Sequence, residues 1–283
     1  MDSFDEDREE VISRALASGV KYLFLPNIDS SSIRDLGSIT SRYPDRIFGM
    51  IGLHPTSVKA DYREQMGVVE MELKENRANY CAIGEIGIDL YWDKTFAREQ
   101  EDVFVRQLEL SLEYNLPVVI HTRNSMDIAL EICAEHRAQG TEHRAQGAEH
   151  RAQGTGHRAE SSGKMVTSQL KTANCQLLRG VFHCFSGNLR QAQRAIDLGF
   201  MLGIGGVVTF KNSGLQEVVE AVPLEYLLLE TDAPFLAPVP FRGKRNEPAY
   251  IPLIAEKIAE IKQTTIEEVA EVTTAGALKL FSK

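Results

Sequence analysis

Short runs rich in Val, Ile, Leu and Phe alternate along the chain with longer amphipathic stretches. Apolar runs of this length bounded by Gly or polar residues read as strands, and apolar positions three and four apart read as helices. Seven strands are predicted: VKYLFLP from Val20, RIFGMIGL from Arg46, YCAIGEIGI from Tyr80, LPVVIH from Leu116, LRGVFHCF from Leu178, FMLGIGGVV from Phe200 and LEYLLLET from Leu224. Helices are predicted over 5–18, 32–43, 63–76, 96–114, 125–136, 189–198, 215–221, 250–262 and 266–281. The chain leads with a helix, acidic at its start and apolar at Val11, Ile12, Ala15 and Leu16. Strands that are apolar on both faces, each followed by a helix, specify a parallel sheet covered by helices.

An open doubly wound sheet and a (β/α)8 barrel both satisfy this pattern. No GxGxxG or GxxxxGK[ST] loop follows a strand, which removes the main support for the open sheet. Polar residues interrupt the apolar runs near strand ends: Glu85 in the third, His121 in the fourth, His183 in the fifth and Asp232 directly after the seventh. In a barrel the strand C-termini converge on one face, so these four side chains are expected to meet there. The fold expected is therefore α/β, a TIM (β/α)8 barrel with seven strands in this chain.

One segment breaks the rhythm. EHRAQGTEHRAQGAEHRAQGTGHRAESSGK, from Glu135 to Lys164, repeats every seven residues and holds four of the seven histidines, His136, His143, His150 and His157. On a helix, seven residues climb about 10.5 Å, too far for neighbouring repeats to share one ion with bonds near 2 Å. Its glycines and the lack of any apolar residue larger than Ala mark a solvated, low-complexity insertion. The domain expected is thus a single barrel over 1–283, interrupted at about 135–172.

Composition narrows the chemistry. The chain is 43% hydrophobic and 25% charged, enough for a sizeable core, and its formal net charge is -9. That balance argues against a broad basic surface for nucleic acid, so a phosphate-bearing substrate needs local cations. The cysteines Cys81, Cys133, Cys175 and Cys184 are scattered and form no CxxC pair, which suits a reducing compartment, and the cytoplasm is expected. No leader-like or membrane-spanning apolar run occurs, so no membrane association is expected. Two imidazoles and two carboxylates at strand ends form the donor set of a hydrolytic divalent-metal site. Without a cation, four such groups on one dry face would be left repelling or unsatisfied. Two residues beyond His121, Arg123 is placed to clamp a phosphate oxygen.

The motifs GLHP at Gly52, GEIGIDLYW at Gly84, IHTR at Ile120, FHCFSG at Phe182, GIGGVVTFKN at Gly203, LLLETDAPFLAP at Leu227 and GKRNEP at Gly243 resemble, in order, those of the TatD family of metal-dependent hydrolases and deoxyribonucleases. The resemblance implies an amidohydrolase-type TIM barrel in which Glu85, His121, His183 and Asp232 match divalent-metal ligands. Asp232 would also orient or deprotonate the attacking water, with Glu85 as the second catalytic carboxylate. His54 matches a residue near the scissile phosphate, and Lys244, Arg245 and Asn246 resemble the loop over the substrate. The cofactor implied is one or two divalent cations, with Zn, Mg, Mn, Co and Ni undistinguished, and DNA is the substrate implied. No stable protein partner is implied. Family members open with a strand ending in His-x-His, and neither feature occurs here. This gives the expectation of about 10 to 20 further N-terminal residues in the native product. Two other readings compete: a hydrolase of small esters, amides or lactones on the same barrel, and a non-enzymatic truncated remnant.

Overall fold

The computed structural model describes residues 2–137 and 177–281. Each predicted apolar run holds a strand: β1 (Leu23–Leu25), β2 (Ile47–Ile51), β3 (Tyr80–Asp89), β4 (Val118–Arg123), β5 (Gly180–Phe182), β6 (Phe200–Ile204) and β7 (Leu227–Leu229). All neighbours pair in parallel and in chain order, and the sheet curls as a half-barrel. Among the described residues no ladder joins β7 to β1.

Helices cover one face: α1 (Arg8–Ala17), α2 (Ile33–Arg42), α3 (Tyr62–Asn76), α4 (Ala97–Tyr114), α5 (126–137), α6 (Leu189–Asp197), α7 (Leu215–Ala221), α8 (Ile251–Lys262) and α9 (Ile266–Phe281). Their ends follow local chemistry. Asn188 and Gln191 cap α6 reciprocally, and Asn115 and Gln263 close α4 and α8 in the left-handed conformation. Two expectations shift at their edges. The seventh run begins with a 3-10 turn (Leu224–Tyr226) after Pro223, because proline offers no donor to a ladder, and β7 is correspondingly short. The first helix is preceded by a 3-10 turn at Asp2–Phe4 and starts at Arg8, not Asp5.

Alternation along the strands divides the core in two. Ile83, Ile86, Ile88, Ile120, Phe182 and Leu202 pack beneath the helices against Phe104 and Leu108 of α4. The opposite face carries Met50, Ala82, Val119, Val181 and Leu228, joined by Leu280 and Phe281 from the end of α9. Phe24 of β1 meets Phe48 and Phe281 there, with ring centroids 5.4 and 4.7 Å apart. His121, His183 and Glu230, each two residues beyond the inner-face Val119, Val181 and Leu228, share this face and so meet at its C-terminal rim.

The repeat lies almost wholly outside the described residues, including His143, His150 and His157. His136 is described, at the end of α5, with Nδ1 2.9 Å from the Ile132 carbonyl oxygen.

Candidate metal centre

Glu85 was expected near the end of its strand, but β3 runs on to Asp89 and places Glu85 in the middle. It reaches the inner face through an irregularity. Ile83 pairs with Val118 while Ile86 pairs with Ile120, so β3 holds one more residue than β4 over that interval. Such a bulge turns Gly84 and Glu85 together to the inner side while Ile83 and Ile86 stay under the helices. Asn27, fully buried, receives the displaced backbone: its N–H donates to Gly84 O and its carbonyl accepts from Glu85 N–H, both at 3.3 Å. Beyond the bulge, Gly87 has φ +132°, and a Cβ there would stand 2.0 Å from the His121 carbonyl oxygen. Only glycine lets β3 and β4 pass so closely.

Around the Glu85 carboxylate stand three imidazoles. From Glu85 Oε1, His121 Nδ1 lies at 3.3 Å, His183 Nε2 at 3.7 Å and His54 Nε2 at 3.9 Å. His183 Nε2 is also 3.3 Å from Asp232 Oδ1. Each ring is held by a group behind it. His183 Nδ1 is 2.9 Å from Glu230 Oε2, which leaves Nε2 to face Glu85 and Asp232. Glu230 occupies space left by Gly203, where a Cβ would collide with its carboxylate, and its Oε1 also accepts the Cys184 N–H. His121 Nε2 lies 3.0 Å from Asp89 Oδ2. His54 follows β2 and caps the 3-10 turn Pro55–Ser57, where its Nδ1 accepts the Thr56 N–H and lies 2.7 Å from Thr56 Oγ1.

Buried glutamines of α4 fix the backbone beneath these side chains. Gln107 accepts from Leu53 N–H at 2.7 Å and donates to Leu53 O at 3.2 Å, directly before His54. Gln100 accepts the Asp89 N–H at 2.8 Å.

The electrostatics are those of carboxylates and imidazoles forced together. Burial alone would raise the Glu85 carboxyl, yet the imidazoles of His183, His121 and His54 hold it well below the usual carboxylate range. Burial opposes charge on His121, but Asp89 and Glu85 outweigh it and bring the ring to about 9. His183 is likewise raised well above its ordinary value, burial being overcome by Glu230, Glu85 and Asp232. His54 is lowered by burial, against the pull of Glu85.

Donors bound to one ion at 2.0–2.1 Å in tetrahedral array lie about 3.4 Å apart. The separations at Glu85, 3.3 to 3.9 Å, match that spacing within a small adjustment. Ligating atoms of His54, Glu85 and His121 all lie within 4.8 Å of one another, and these three residues are positioned to hold a metal ion. His183 and Asp232 stand on the other side of the same carboxylate.

All four residues singled out at strand ends, Glu85, His121, His183 and Asp232, are thus gathered at one rim, and His54 joins them. The cations have different fates. Arg123 is exposed over the Tyr91 ring, and Lys244 is exposed with Nζ 5.7 Å from the Phe241 centroid. Arg245 pairs with Asp7 and donates to Ser3 O, so its guanidinium ties the N-terminal segment to the loop after β7. Asn246 is fully buried: its amide donates to Thr231 O and Phe235 O, both at 2.6 Å, and its Oδ1 accepts the Glu247 N–H. Both residues are committed to the chain's own groups in this structure. Asp89 and Glu230 were not anticipated. Glu230 has a signal in the phase of β7, since Leu228 faces inward and the alternate residue must follow it.

A parallel α/β half-barrel with a His- and carboxylate-lined centre at its C-terminal rim defines a metal-dependent hydrolase of the TIM-barrel class. A sequence model described as TatD related DNase matches residues 1–282, and the chain belongs to the TatD family. It is 36% identical over 281 residues to the uncharacterized metal-dependent hydrolase YabD of Bacillus subtilis (strain 168), covering 99% of this chain and 94% of that one. It is 29% identical to the uncharacterized metal-dependent hydrolase YcfH of Escherichia coli (strain K12), covering 99% and 90%. The crystal structure of YJJV, a TatD homolog from Escherichia coli K12, superposes with a TM-score of 0.81 at 25% identity, covering 99% of this chain and 93% of that one.

Proposed function

We propose that the chain hydrolyses phosphodiester bonds in DNA with the aid of a divalent cation held by Glu85, His121 and His183, together with His54 and Asp232. The observation that carries this reading is the exposed side of the cluster. Asp232 Oδ1 lies 3.3 Å from His183 Nε2, and its side chain is 30% exposed while that of Glu85 is 8% exposed. The buried carboxylate is a ligand; the open one can take a proton from water. When bound, the cation supplies positive charge to the phosphate and lowers the pKa of water beside it.

The chain's own residues do the rest. Asp232 orients the water and accepts its proton as the water oxygen bonds to phosphorus and the P–O bond to the leaving group breaks. Glu230 and Asp89 keep the His183 and His121 rings turned to the centre. Arg123 and Lys244, exposed cations near the rim of an acidic protein, receive neighbouring phosphates. The description of the matching family, TatD related DNase, supports the substrate class. The relatives named as metal-dependent hydrolases support the cofactor. Among the described residues no helix is long and apolar enough to cross a membrane, and no disulfide joins the described cysteines; we place the protein in the cytoplasm.

The test is hydrolysis of DNA beside a panel of small esters, amides and lactones, with and without chelator. Chelator-sensitive cleavage of DNA is expected, falling by about 100-fold or more in Asp232→Asn. Turnover confined to the small substrates contradicts the reading.

A further inference from the structure

The loop leaving β3 carries Trp92, 71% exposed, the most exposed large apolar side chain among the described residues, with Tyr91 beside it at 51%. Their rings meet edge to face at 90°, centroids 4.8 Å apart. Arg123 covers one side, its Cζ 3.8 Å from the Tyr91 centroid and 5.2 Å from that of Trp92. Among the described residues no hydrogen bond or ion pair engages that guanidinium, so its N–H edges stay free while its face is stacked.

The position of this platform is fixed by the metal centre itself. Asp89 Oδ1 accepts the Tyr91 N–H at 2.9 Å, while Oδ2 of the same carboxylate lies 3.0 Å from His121 Nε2. Trp92 begins three residues past Asp89, a reach of about 10 Å at most. Leaving two aromatic rings in water forgoes their burial, and nothing in the core requires them there. An exposed aromatic pair with a stacked arginine is suited to a planar π-system followed by an anion, which is the makeup of a nucleobase and its phosphate. The chain's charge of -9 adds weight: cations over the whole surface cannot hold a polyanion, so affinity must come from contacts that charge does not supply.

We propose that Tyr91, Trp92 and Arg123 form a subsite that stacks one unpaired nucleobase and receives its flanking phosphate beside the hydrolytic centre. This subsite rests on the reading of that centre as one acting on DNA.

Trp92 is the chain's one tryptophan, so its emission reports stacking directly. The full chain, with chelator present so that no strand is cut, is titrated with a short single-stranded oligothymidylate and with an all-abasic oligomer of equal length and charge. The expected result is quenching by oligothymidylate alone. In Trp92→Ala, oligothymidylate affinity by fluorescence anisotropy is expected to fall roughly 5- to 150-fold, with affinity for the abasic oligomer unchanged. Trp92→Phe should recover most of the loss, and the thermal midpoint of both variants should match the parent. Equal affinity for the two oligomers, unquenched emission, or binding of neither overturns the subsite. Cleavage of oligothymidylate by metal-loaded parent then separates the two readings. Cleavage without quenching removes the subsite alone; neither cleavage nor binding removes both.

Discussion

Glu230 shows how a single carboxylate sets what a histidine can do. By receiving His183 Nδ1 at 2.9 Å it fixes which nitrogen faces Glu85 and Asp232. Glu230→Gln, which keeps the shape and removes the charge, should weaken divalent-cation binding by about 10- to 100-fold in a competition titration against a chromophoric chelator. His121 makes a prediction in pH. Its folded value of about 9 stands above the ordinary 6.5, so its charged contacts with Asp89 and Glu85 stabilise the metal-free fold fully below 6.5. That contribution is lost as pH rises through about 9. The thermal midpoint of chelated protein should therefore decline across this window, and decline less in His121→Asn. At this scale the sequence was informative where an ionisable residue interrupts an apolar run, as at Glu85, His121 and His183. It was uninformative at Asn246, because a polar residue in a loop looks the same whether it faces solvent or is buried against Thr231 and Phe235.

Among the elements, β3 and α4 do most to shape the centre. The helices were readable because their apolar stripes repeat with a 3.6-residue period, and observed bounds fall within a few residues of those predicted. The bulge at Gly84 and Glu85 was not readable, since a strand apolar on both faces carries no alternation to betray an extra residue. Gln107 is the support with the most exposed consequence if removed. Gln107→Ala leaves the Leu53 N–H and carbonyl unpaired in a buried place and should cost about 1–3 kcal/mol in urea denaturation. Metal affinity should fall as well, because His54 is the next residue.

The whole molecule is held across its open side by charge. Arg14 of α1 grips Glu247, with Nη2 2.7 Å and Nε 3.1 Å from Oε2, while Arg245 pairs with Asp7. The two pairs join the start of the chain to the segment after β7, whose Asn246 supports the backbone on both sides of Asp232. Arg14→Ala removes the partner of the Glu247 carboxylate and should lower the thermal midpoint, measured by differential scanning calorimetry against the parent chain. The architecture was legible from strand rhythm and from where the polar residues fall; the contacts across the seam were not, since they join residues more than 200 positions apart.

The proposed chemistry depends on His54, Glu85, His121, His183 and Asp232, from separate strands and loops, forming a centre that holds a divalent cation. Calorimetric titration of chelator-stripped protein with zinc tests this most directly, in the parent chain and in Glu85→Ala and His183→Ala. The parent should bind at least one ion per chain at micromolar concentration or below, with Glu85→Ala losing that binding and His183→Ala weakening it by at least about 10-fold. No binding by the parent, or binding that both substitutions leave unchanged, contradicts the account.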